Sequence, residues 1–212
     1  MKIIIGIVLL AVGIYFLQPV WSDFMAGPGT FRGDGTERIV VFTSTDCGST
    51  CRDAVSYLTQ SGQMFEELRL EDDQNNVKLF HKLGGSDVVP YLASGYQIVS
   101  GFYPHDYLSV LAAARGLSVL DPALRDVYAQ HFAANNKPVL VMYGTSWCVD
   151  CAALREYCND NKIKLLDWDV ETDAAVAHRY ALLGGREFPL VFYGARRMTG
   201  FSESTLLRLI RN

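Results

Sequence analysis

The stretch LVMYGTSWCVDC, residues 140–151, joins an apolar run to a turn and a closely spaced pair of cysteines. A similar stretch, IVVFTSTDCGSTC, occupies residues 39–51. Each is followed by a matching segment that ends in proline: LGGREFP ends at Pro189 and LGGSDVVP ends at Pro90. Matches in the same order indicate an internal repeat, and the cysteines lie at the same point of each copy.

Both copies predict the same order of helices and strands. A β-branched apolar run and the cysteine turn precede residues with helical periodicity, a second strand, a second helix that ends at paired glycines, and the proline. Two short runs after the proline predict a β-hairpin, and a last helix follows at about residues 105–114 or 204–210. The predicted fold class is therefore α/β, with the order βαβαββα in each copy.

Three motifs of the second copy resemble glutaredoxins of the thioredoxin superfamily: WCVDC at residues 147–151, Phe188-Pro189 before a strand, and Thr199-Gly200-Phe201 after the hairpin. The resemblance covers most of residues 138–210. With the repeat, it implies two tandem thioredoxin-like domains and thiol–disulfide exchange without a cofactor. Because no Gly-Gly-Asp-like segment follows the hairpin, the chain is most similar to the small glutaredoxin-like hydrogen donors, which depend little on glutathione. Glutathione is therefore expected only as a weak partner.

The two cysteines of the second copy have distinct expected roles. Cys148 lies where a strand gives way to a helix, so free backbone N–H groups and the helix dipole favour its thiolate and make it the predicted nucleophile. Cys151, one turn into the helix, is close enough to attack a mixed disulfide at Cys148 and is the predicted resolving thiol. Asp150 lies between them, and its charge opposes thiolate formation.

Metal and nucleic-acid binding find little support in the sequence. A CxxC pair can form half of a zinc site, but a tetrahedral site needs two more ligands, and no second closely spaced Cys or His pair occurs in the same copy. No metal site is therefore predicted. The net charge of −4 and the lack of a basic stripe argue against a nucleic-acid partner.

The first copy departs from the pattern at its cysteines, where CGSTC holds one residue more than CxxC. Three interpretations of Cys47 and Cys51 stay open: a redox pair with a shifted potential, a soft-metal site suited to copper(I), and a structural remnant in a binding domain. In a redox pair, the additional residue would move Cys51 around the helix. This predicts a more easily reduced disulfide and electron flow from Cys148 and Cys151 towards the first copy.

The prediction of how substrates bind rests on Pro90 and Pro189. The resemblance implies that both are cis and face the disulfides, which leaves the backbone of Val89 or Phe188 free to pair with an extended protein substrate. Trp147 and Phe188 would then form apolar walls beside the cysteines. From the residues alone, a trans turn proline is the alternative. The expected partner is a protein thiol or disulfide.

The amino end predicts a membrane anchor. Ile3 to Leu17 is an uninterrupted run of apolar residues and glycine, and Trp21 is placed to lie in the membrane interface. No small-residue cleavage site follows this run, which argues against a cleaved signal peptide. We therefore expect a single-pass anchor at residues 1–21 that contacts the membrane through residues 3–21.

Charges around this run bear on the orientation of the anchor. Lys2 favours a cytoplasmic amino terminus, which would place the soluble domains in the periplasm or another extracytoplasmic compartment. Arg32 and Arg38 on the other flank nearly balance Lys2. The extracytoplasmic orientation is the expectation taken forward.

Changes in amino-acid composition divide the rest of the chain into a tether, two domains and a linker between them. Glycines and prolines without periodicity predict a flexible tether, and Asp121-Pro122 predicts the start of a helix that runs to about Ala133 between the copies. The predicted division is a tether at residues 22–37, a first glutaredoxin-like domain at 38–115, a helical linker at 116–136 and a second glutaredoxin-like domain at 137–212.

Two functions from different classes are consistent with these features. The first is a membrane-tethered thiol–disulfide oxidoreductase that acts through Cys148 and Cys151, with Cys47 and Cys51 as a relay. The alternative is a non-catalytic module that binds a client or handles copper during assembly, with thioredoxin-like domains as its scaffold.

Overall fold

The computed structural model describes residues 30–211. The predicted anchor at residues 1–21 and the first part of the predicted tether lie outside the described residues. Within residues 30–211, every helix is too short or too polar to cross a membrane.

The first repeat forms a four-stranded mixed sheet with helices on both faces. Its elements are β1 (Ile39–Thr43), α1 (Gly48–Gln60), β2 (Glu66–Arg69), α2 (Gln74–Lys82), β3 (Tyr91–Ser94), β4 (Gln97–Ser100) and α3 (Pro104–Arg115). The strand order is β2-β1-β3-β4, with β1 parallel to β2 and antiparallel to β3. The predicted order βαβαββα is confirmed in this repeat.

The second repeat has the same topology. A 3-10 turn (Leu117–Val119) and α4 (Pro122–Ala129) precede β5 (Leu140–Gly144), α5 (Val149–Asp160), β6 (Leu165–Asp169), α6 (Ala174–Leu182), β7 (Leu190–Tyr193), β8 (Arg196–Thr199) and α7 (Glu203–Leu209). Its strand order is β6-β5-β7-β8. Two four-stranded sheets with these helices fit two thioredoxin-like domains.

Burial of the central strands explains why their sequences are apolar throughout. Every residue of β1 and of β5 is buried, because each strand is covered on both faces. In β5, Leu140 and Met142 pack in the cluster that contains α5 and α7 residues, whereas Val141 and Tyr143 pack with residues of α4 and α6. The cysteine turn thus follows a strand that is fixed from two sides.

Helix α3 belongs to the cores of both domains. Tyr107 and Leu111 pack in the core of the first domain, whereas Ala112 packs in that of the second. The buried Ser109 hydroxyl donates a hydrogen bond to the Ala195 carbonyl at 2.6 Å. A helix with apolar residues on more than one face is expected where two packing surfaces must be covered. The two domains therefore share a buried interface.

Both repeats begin earlier than the sequence indicated. An isolated antiparallel bridge joins Phe31 to Glu37, and the same bridge joins Phe132 to Pro138 at the corresponding place before β5. The fully buried Thr30 donates a hydrogen bond through Oγ1 to the Gly95 carbonyl at 2.6 Å. Residues 30–37 therefore pack against the β3–β4 turn.

This ordered segment corrects the predicted tether over residues 30–37. Its glycines suggested a chain without fixed structure, but Gly35 adopts a φ of 82° and its N–H donates to the Arg32 carbonyl at 2.9 Å. The glycine is needed here for a tight turn, because positive φ is costly for other residues. Between the copies, the helix expected from Pro122 to about Ala133 is present and about four residues shorter. Helix α4 ends at Ala129, and its Val127 and Tyr128 are buried in the second-domain core.

Candidate functional site

The cysteines of the second domain lie at the amino end of α5. Cys148 is the N-cap residue, and the backbone N–H of Cys151 donates a hydrogen bond to Cys148 Sγ at 3.0 Å. The two residues form a disulfide with their Cα atoms 5.2 Å apart. Once the pair is reduced, the same N–H and the helix dipole would favour the Cys148 thiolate.

The two sulfurs differ in their access to solvent. The side chain of Cys148 is 6% exposed, whereas that of Cys151 is fully buried. Gly144, the last residue of β5, permits this burial because a Cβ atom there would lie 3.1 Å from Cys151 Sγ. The glycine thus lets the strand end approach the disulfide closely, and Cys148 is the sulfur that an incoming partner can reach.

Aromatic side chains form a wall beside this disulfide, as the sequence predicted for Trp147 and Phe188. Trp147 is 65% exposed, and its ring meets that of Phe188 edge to face with 5.8 Å between centroids. Phe188 also stacks on Tyr180 at 4.9 Å. Aromatic pairs in these geometries stabilise each other, so the exposed ring has a defined position.

The Phe188–Pro189 peptide bond is cis, in the geometry that the resemblance implies. The Gly200 N–H donates to the Pro189 carbonyl at 2.9 Å, and a Cβ atom at Gly200 would lie 3.8 Å from Asp150 Oδ2. Gly200 therefore connects the proline to the start of α5. Phe188 packs against the cluster that contains both cysteines. Phe188 thus lies between Trp147, which it contacts, and the cluster of Cys148 and Cys151, and Pro189 follows it in the chain.

Glu171 is a site residue that the sequence reasoning missed. Its Oε1 accepts a hydrogen bond from Trp147 Nε1 at 2.9 Å. The corresponding residue of the first repeat, Glu71, accepts hydrogen bonds from the backbone N–H of Thr45 at 2.9 Å and from the Thr45 hydroxyl. A glutamate at the same place after the second strand of each copy was the signal that could have found it. In both repeats this glutamate holds the turn before the first cysteine.

The additional residue of the first domain lies at the start of its helix, between the two cysteines. A 3-10 turn, Thr45–Cys47, is followed by Gly48 at a φ of 65°, and α1 begins at this glycine. Cys47 and Cys51 form a disulfide with their Cα atoms 5.6 Å apart. The side chain of Cys47 makes no capping hydrogen bond to the helix. Both cysteines therefore lie at the start of the helix, but Cys47 lacks the hydrogen bond that Cys148 receives.

The surroundings of the first disulfide are polar. Asp46 takes the place of Trp147 in the alignment, and Val89 takes that of Phe188. The Val89–Pro90 bond is cis, and the Gly101 N–H donates to the Pro90 carbonyl at 2.8 Å. This backbone arrangement matches that of the second domain, although the aromatic wall is replaced by an acid and a smaller apolar side chain.

Glu71 is the most strongly perturbed exposed acid beside this turn. Hydrogen bonds from Thr45 and Arg69 lower the pKa of Glu71 to about 2, and the carboxylate also forms an ion pair with Arg69 at 2.9 Å.

The described chain holds one further thiol, that of Cys158, and its acids, histidines and cysteines are scattered. Residues 30–211 hold no cluster of three or more His, Cys, Asp or Glu side chains placed to bind a metal ion. Cys158 is a free cysteine buried in the same apolar cluster as the second disulfide. Burial raises the pKa of its thiol, which suits a packing role better than a nucleophilic one.

Comparisons with known proteins find similarity only among solved structures. No family model and no curated protein matches the chain. The thioredoxin-like protein BC3987 is 24% identical over 34% of this chain and 99% of its own, with a TM-score of 0.32. A point mutant of that protein gives the same identity and TM-score over 92% of its own length. The glutaredoxin from Archaeoglobus fulgidus is 22% identical over 34% of this chain and 86% of its own, with a TM-score of 0.31.

Proposed function

We propose that this protein is a thiol–disulfide oxidoreductase whose second domain exchanges electrons with protein disulfides through Cys148 and Cys151. One observation carries the proposal: the less buried sulfur lies at a helix amino terminus and accepts a hydrogen bond from the backbone of its partner cysteine. That arrangement supports an attacking thiolate and a resolving thiol within disulfide distance of each other.

The reaction proceeds in two exchanges. The Cys148 thiolate attacks one sulfur of a client disulfide, so that a Cys148–client bond forms while the client S–S bond breaks and the leaving sulfur takes a proton. Cys151 then attacks Cys148 as a thiolate, which forms the Cys148–Cys151 disulfide and releases the second client thiol. Two electrons and two protons pass to the client, and an external dithiol reductant restores the reduced pair.

Client recognition in this proposal uses backbone pairing. The half-buried Phe188 ring, which packs against the cluster of both cysteines, supports an extended client strand laid beside the backbone before Pro189. Trp147, held by Glu171, would shield the reacting sulfurs on one side. Pairing through the backbone suits clients of varied sequence, because the contacts come from the main chain.

The first domain acts as a relay in this proposal. Cys47 and Cys51 form a closed disulfide, and the same cis-proline backbone lies beside it. A disulfide can accept electrons from one partner and, once reduced, pass them to another. Copper(I) binding and a purely structural role remain the competing interpretations for this pair. Counting the free thiols of both cysteine pairs during the reaction distinguishes the relay from the other two interpretations, because only a relay pair opens and closes as electrons pass.

Membrane attachment is a further part of the proposal. The apolar run from Ile3 to Leu17 supports an anchor that holds both domains at an extracytoplasmic membrane surface. The check is membrane fractionation of the full chain with alkaline extraction. Recovery of the protein in the soluble fraction after alkaline extraction would remove the tether from the proposal.

The central test is a thiol count on the full chain. The protein is reduced with a dithiol, freed of reductant, and incubated with a protein disulfide. Alkylation and mass spectrometry then report the free thiols at each cysteine. We expect Cys148 and Cys151 to change from alkylated to disulfide-bonded while client thiols appear in equal number. Persistence of both free thiols would support the non-catalytic module instead.

A further inference from the structure

We propose that the two domains present one continuous client-binding surface, which runs from the cis proline of the second domain across Arg186 and Tyr103 to the cis proline of the first. The inference rests on the proposed function and adds the first domain to its substrate site. The occupant is an extended segment of a protein disulfide substrate that places an apolar or aromatic side chain on Tyr103.

On the first-domain side, Tyr103 lies next to the cis proline. The Gly101 N–H binds the Pro90 carbonyl at 2.8 Å, and a Cβ atom at Gly101 would lie 3.3 Å from the Tyr103 ring. Gly101 has a φ of 83°, so the chain turns sharply here and directs Tyr103 back along the loop. The Tyr103 side chain is 47% exposed. The Tyr103 ring is thus accessible to a partner beside Pro90 of the first domain.

On the second-domain side, Arg186 meets this ring. Its guanidinium carbon lies over Tyr103, 5.7 Å from the ring centroid, and Arg186 precedes Phe188 by two positions. Among residues 30–211, no carboxylate forms an ion pair with Arg186, so the aromatic face is its recorded partner. A guanidinium over a ring is an attractive contact that also leaves the outer surface open. Tyr103 and Arg186 together form a platform between the two prolines.

Further contacts join the residues next to Tyr103 and Arg186. His105 packs so closely on Gly184 that a Cβ atom there would lie 2.2 Å from the imidazole ring. Arg197 forms an ion pair with Asp106 at 2.7 Å and donates to the Leu183 carbonyl at 2.9 Å. These contacts fasten the start of α3 to the turn after α6. The client surface therefore exists before any client binds, which lowers the entropic cost of binding.

An extended client has the reach to use this surface. A strand advances about 3.3 Å per residue, so a client segment of several residues paired at Phe188 extends well beyond the reacting sulfurs, in this proposal past Arg186 towards Tyr103. Tyr, Trp and Arg are the residue types that most often dominate binding energy at protein interfaces. A small disulfide occupies only the space beside the reacting sulfurs and has no chain that would extend along this surface.

The test compares a protein disulfide with a small one in the full chain. Tyr103→Ala should raise KM for insulin about fivefold, as expected for about 1 kcal/mol of lost contact, and leave kcat unchanged. The same variant should reduce 2-hydroxyethyl disulfide at the wild-type rate. Tyr103→Phe keeps the ring and should behave as wild type. The control is Met64→Ala, since Met64 is 74% exposed at the opposite end of the first domain's sheet.

The possible outcomes distinguish the shared client surface from the proposed oxidoreductase function on which it rests. If wild type reduces insulin and Tyr103→Ala has an unchanged KM, the shared surface is wrong and the proposed function stands. An equal loss on both disulfides would also overturn the surface, because it would indicate damage at the cysteines. If wild type reduces neither disulfide after treatment with a dithiol, the proposed function fails and the shared surface fails with it.

Discussion

Glu171 accepts the indole N–H of Trp147 at 2.9 Å and so fixes the aromatic ring that borders the second disulfide. The ring is largely exposed, and its remaining recorded partner is the edge-to-face contact with Phe188. Without the hydrogen bond, the indole would rotate among several rotamers. Glu171 is therefore a positioning residue in the proposed reaction, acting through Trp147.

Replacing Glu171 should weaken client binding and spare the chemistry. We expect Glu171→Ala to raise KM for a protein disulfide about fivefold, since the loss of one hydrogen bond is worth about 1 kcal/mol, with kcat unchanged. Glu171→Gln keeps an acceptor oxygen and should restore most of the affinity. Steady-state kinetics on the three proteins provide the measurement. A fall in kcat with constant KM would contradict the positioning role.

Substitution of the two cysteines should give different phenotypes. Cys148→Ser removes the attacking sulfur and should abolish disulfide reduction. Cys151→Ser keeps the attacking sulfur but loses the resolving one, so it should accumulate a mixed disulfide with the client that is visible on a non-reducing gel. Near-normal turnover by Cys148→Ser would show that the nucleophile is assigned wrongly.

Pro189→Ala should separate client binding from thiol chemistry. Pro189 follows Phe188 directly and its carbonyl accepts the Gly200 N–H at 2.9 Å, so its replacement should disturb the backbone edge with which an extended client pairs. We expect kcat/KM for a protein disulfide to fall about tenfold, corresponding to about 1.4 kcal/mol, while a small disulfide reacts at nearly the wild-type rate. Pro122→Ala, at the first position of α4, is the matched control. Losses of equal size on both substrates would argue against backbone pairing.

Local patterns in the sequence were sufficient for most of the secondary structure. Ile39–Thr43 was predicted as the first strand and has these bounds in the structure. The final helix of the first repeat, expected at about residues 105–114, extends by one residue at each end. Such elements can be predicted from the spacing of apolar residues and from the glycines and prolines at which helices and strands end. Both signals are present in short stretches of sequence.

Long-range features escaped the same reasoning for a physical reason. Thr30 and Gly95 are joined by a hydrogen bond across 65 positions, and nothing in the local composition of residues 30–37 distinguishes a packed turn from a tether. From the sequence, Ser109 is likewise only a polar residue in a helix, although in the structure its buried hydroxyl donates a hydrogen bond to Ala195 in the other domain. At the site, Glu171 resembles any acid in a solvated turn until Trp147 is placed beside it.

Acid should destabilise the second domain through His131. This side chain is fully buried and stacks on Phe192, and burial lowers its pKa to about 3. Histidine in an unfolded chain titrates near 6.5, so between these values the unfolded state binds a proton that the folded state does not. The free energy of unfolding should therefore fall as the pH falls from about 6.5 to 3, by about 1.4 kcal/mol per pH unit.

Urea unfolding at pH 7 and pH 5 measures this effect. His131→Phe keeps a ring against Phe192 but cannot titrate, so wild type should lose about 2 kcal/mol more than this variant between the two pH values. The exposed His178 provides the control, and His178→Gln should follow wild type. Parallel losses in wild type and His131→Phe would assign the acid sensitivity to other groups.

The hydrogen bond at Cys148 changes the expected direction of electron flow. The sequence suggested that Cys47–Cys51 would be the more easily reduced pair, because the additional residue would displace Cys51 around a helix. In the structure Cys47 and Cys148 are both N-cap residues of their helices, but Cys47 makes no helix-capping hydrogen bond, whereas Cys148 accepts one. Stabilising a thiolate stabilises the reduced form of its pair and raises the reduction potential.

We therefore expect the first pair to have the lower potential and to reduce the second. Equilibrium titration of the full chain against a dithiol buffer, with each pair quantified by alkylation, gives both potentials in one experiment. A tenfold preference for electrons on Cys148 and Cys151 corresponds to about 30 mV for a two-electron couple. Asp46→Trp is an informative variant, because it removes a negative charge next to Cys47 and should raise the potential of the first pair alone. A first-pair potential above that of the second would restore the opposite flow, and absence of a Cys47–Cys51 disulfide under oxidising conditions would leave that domain with a binding or copper role.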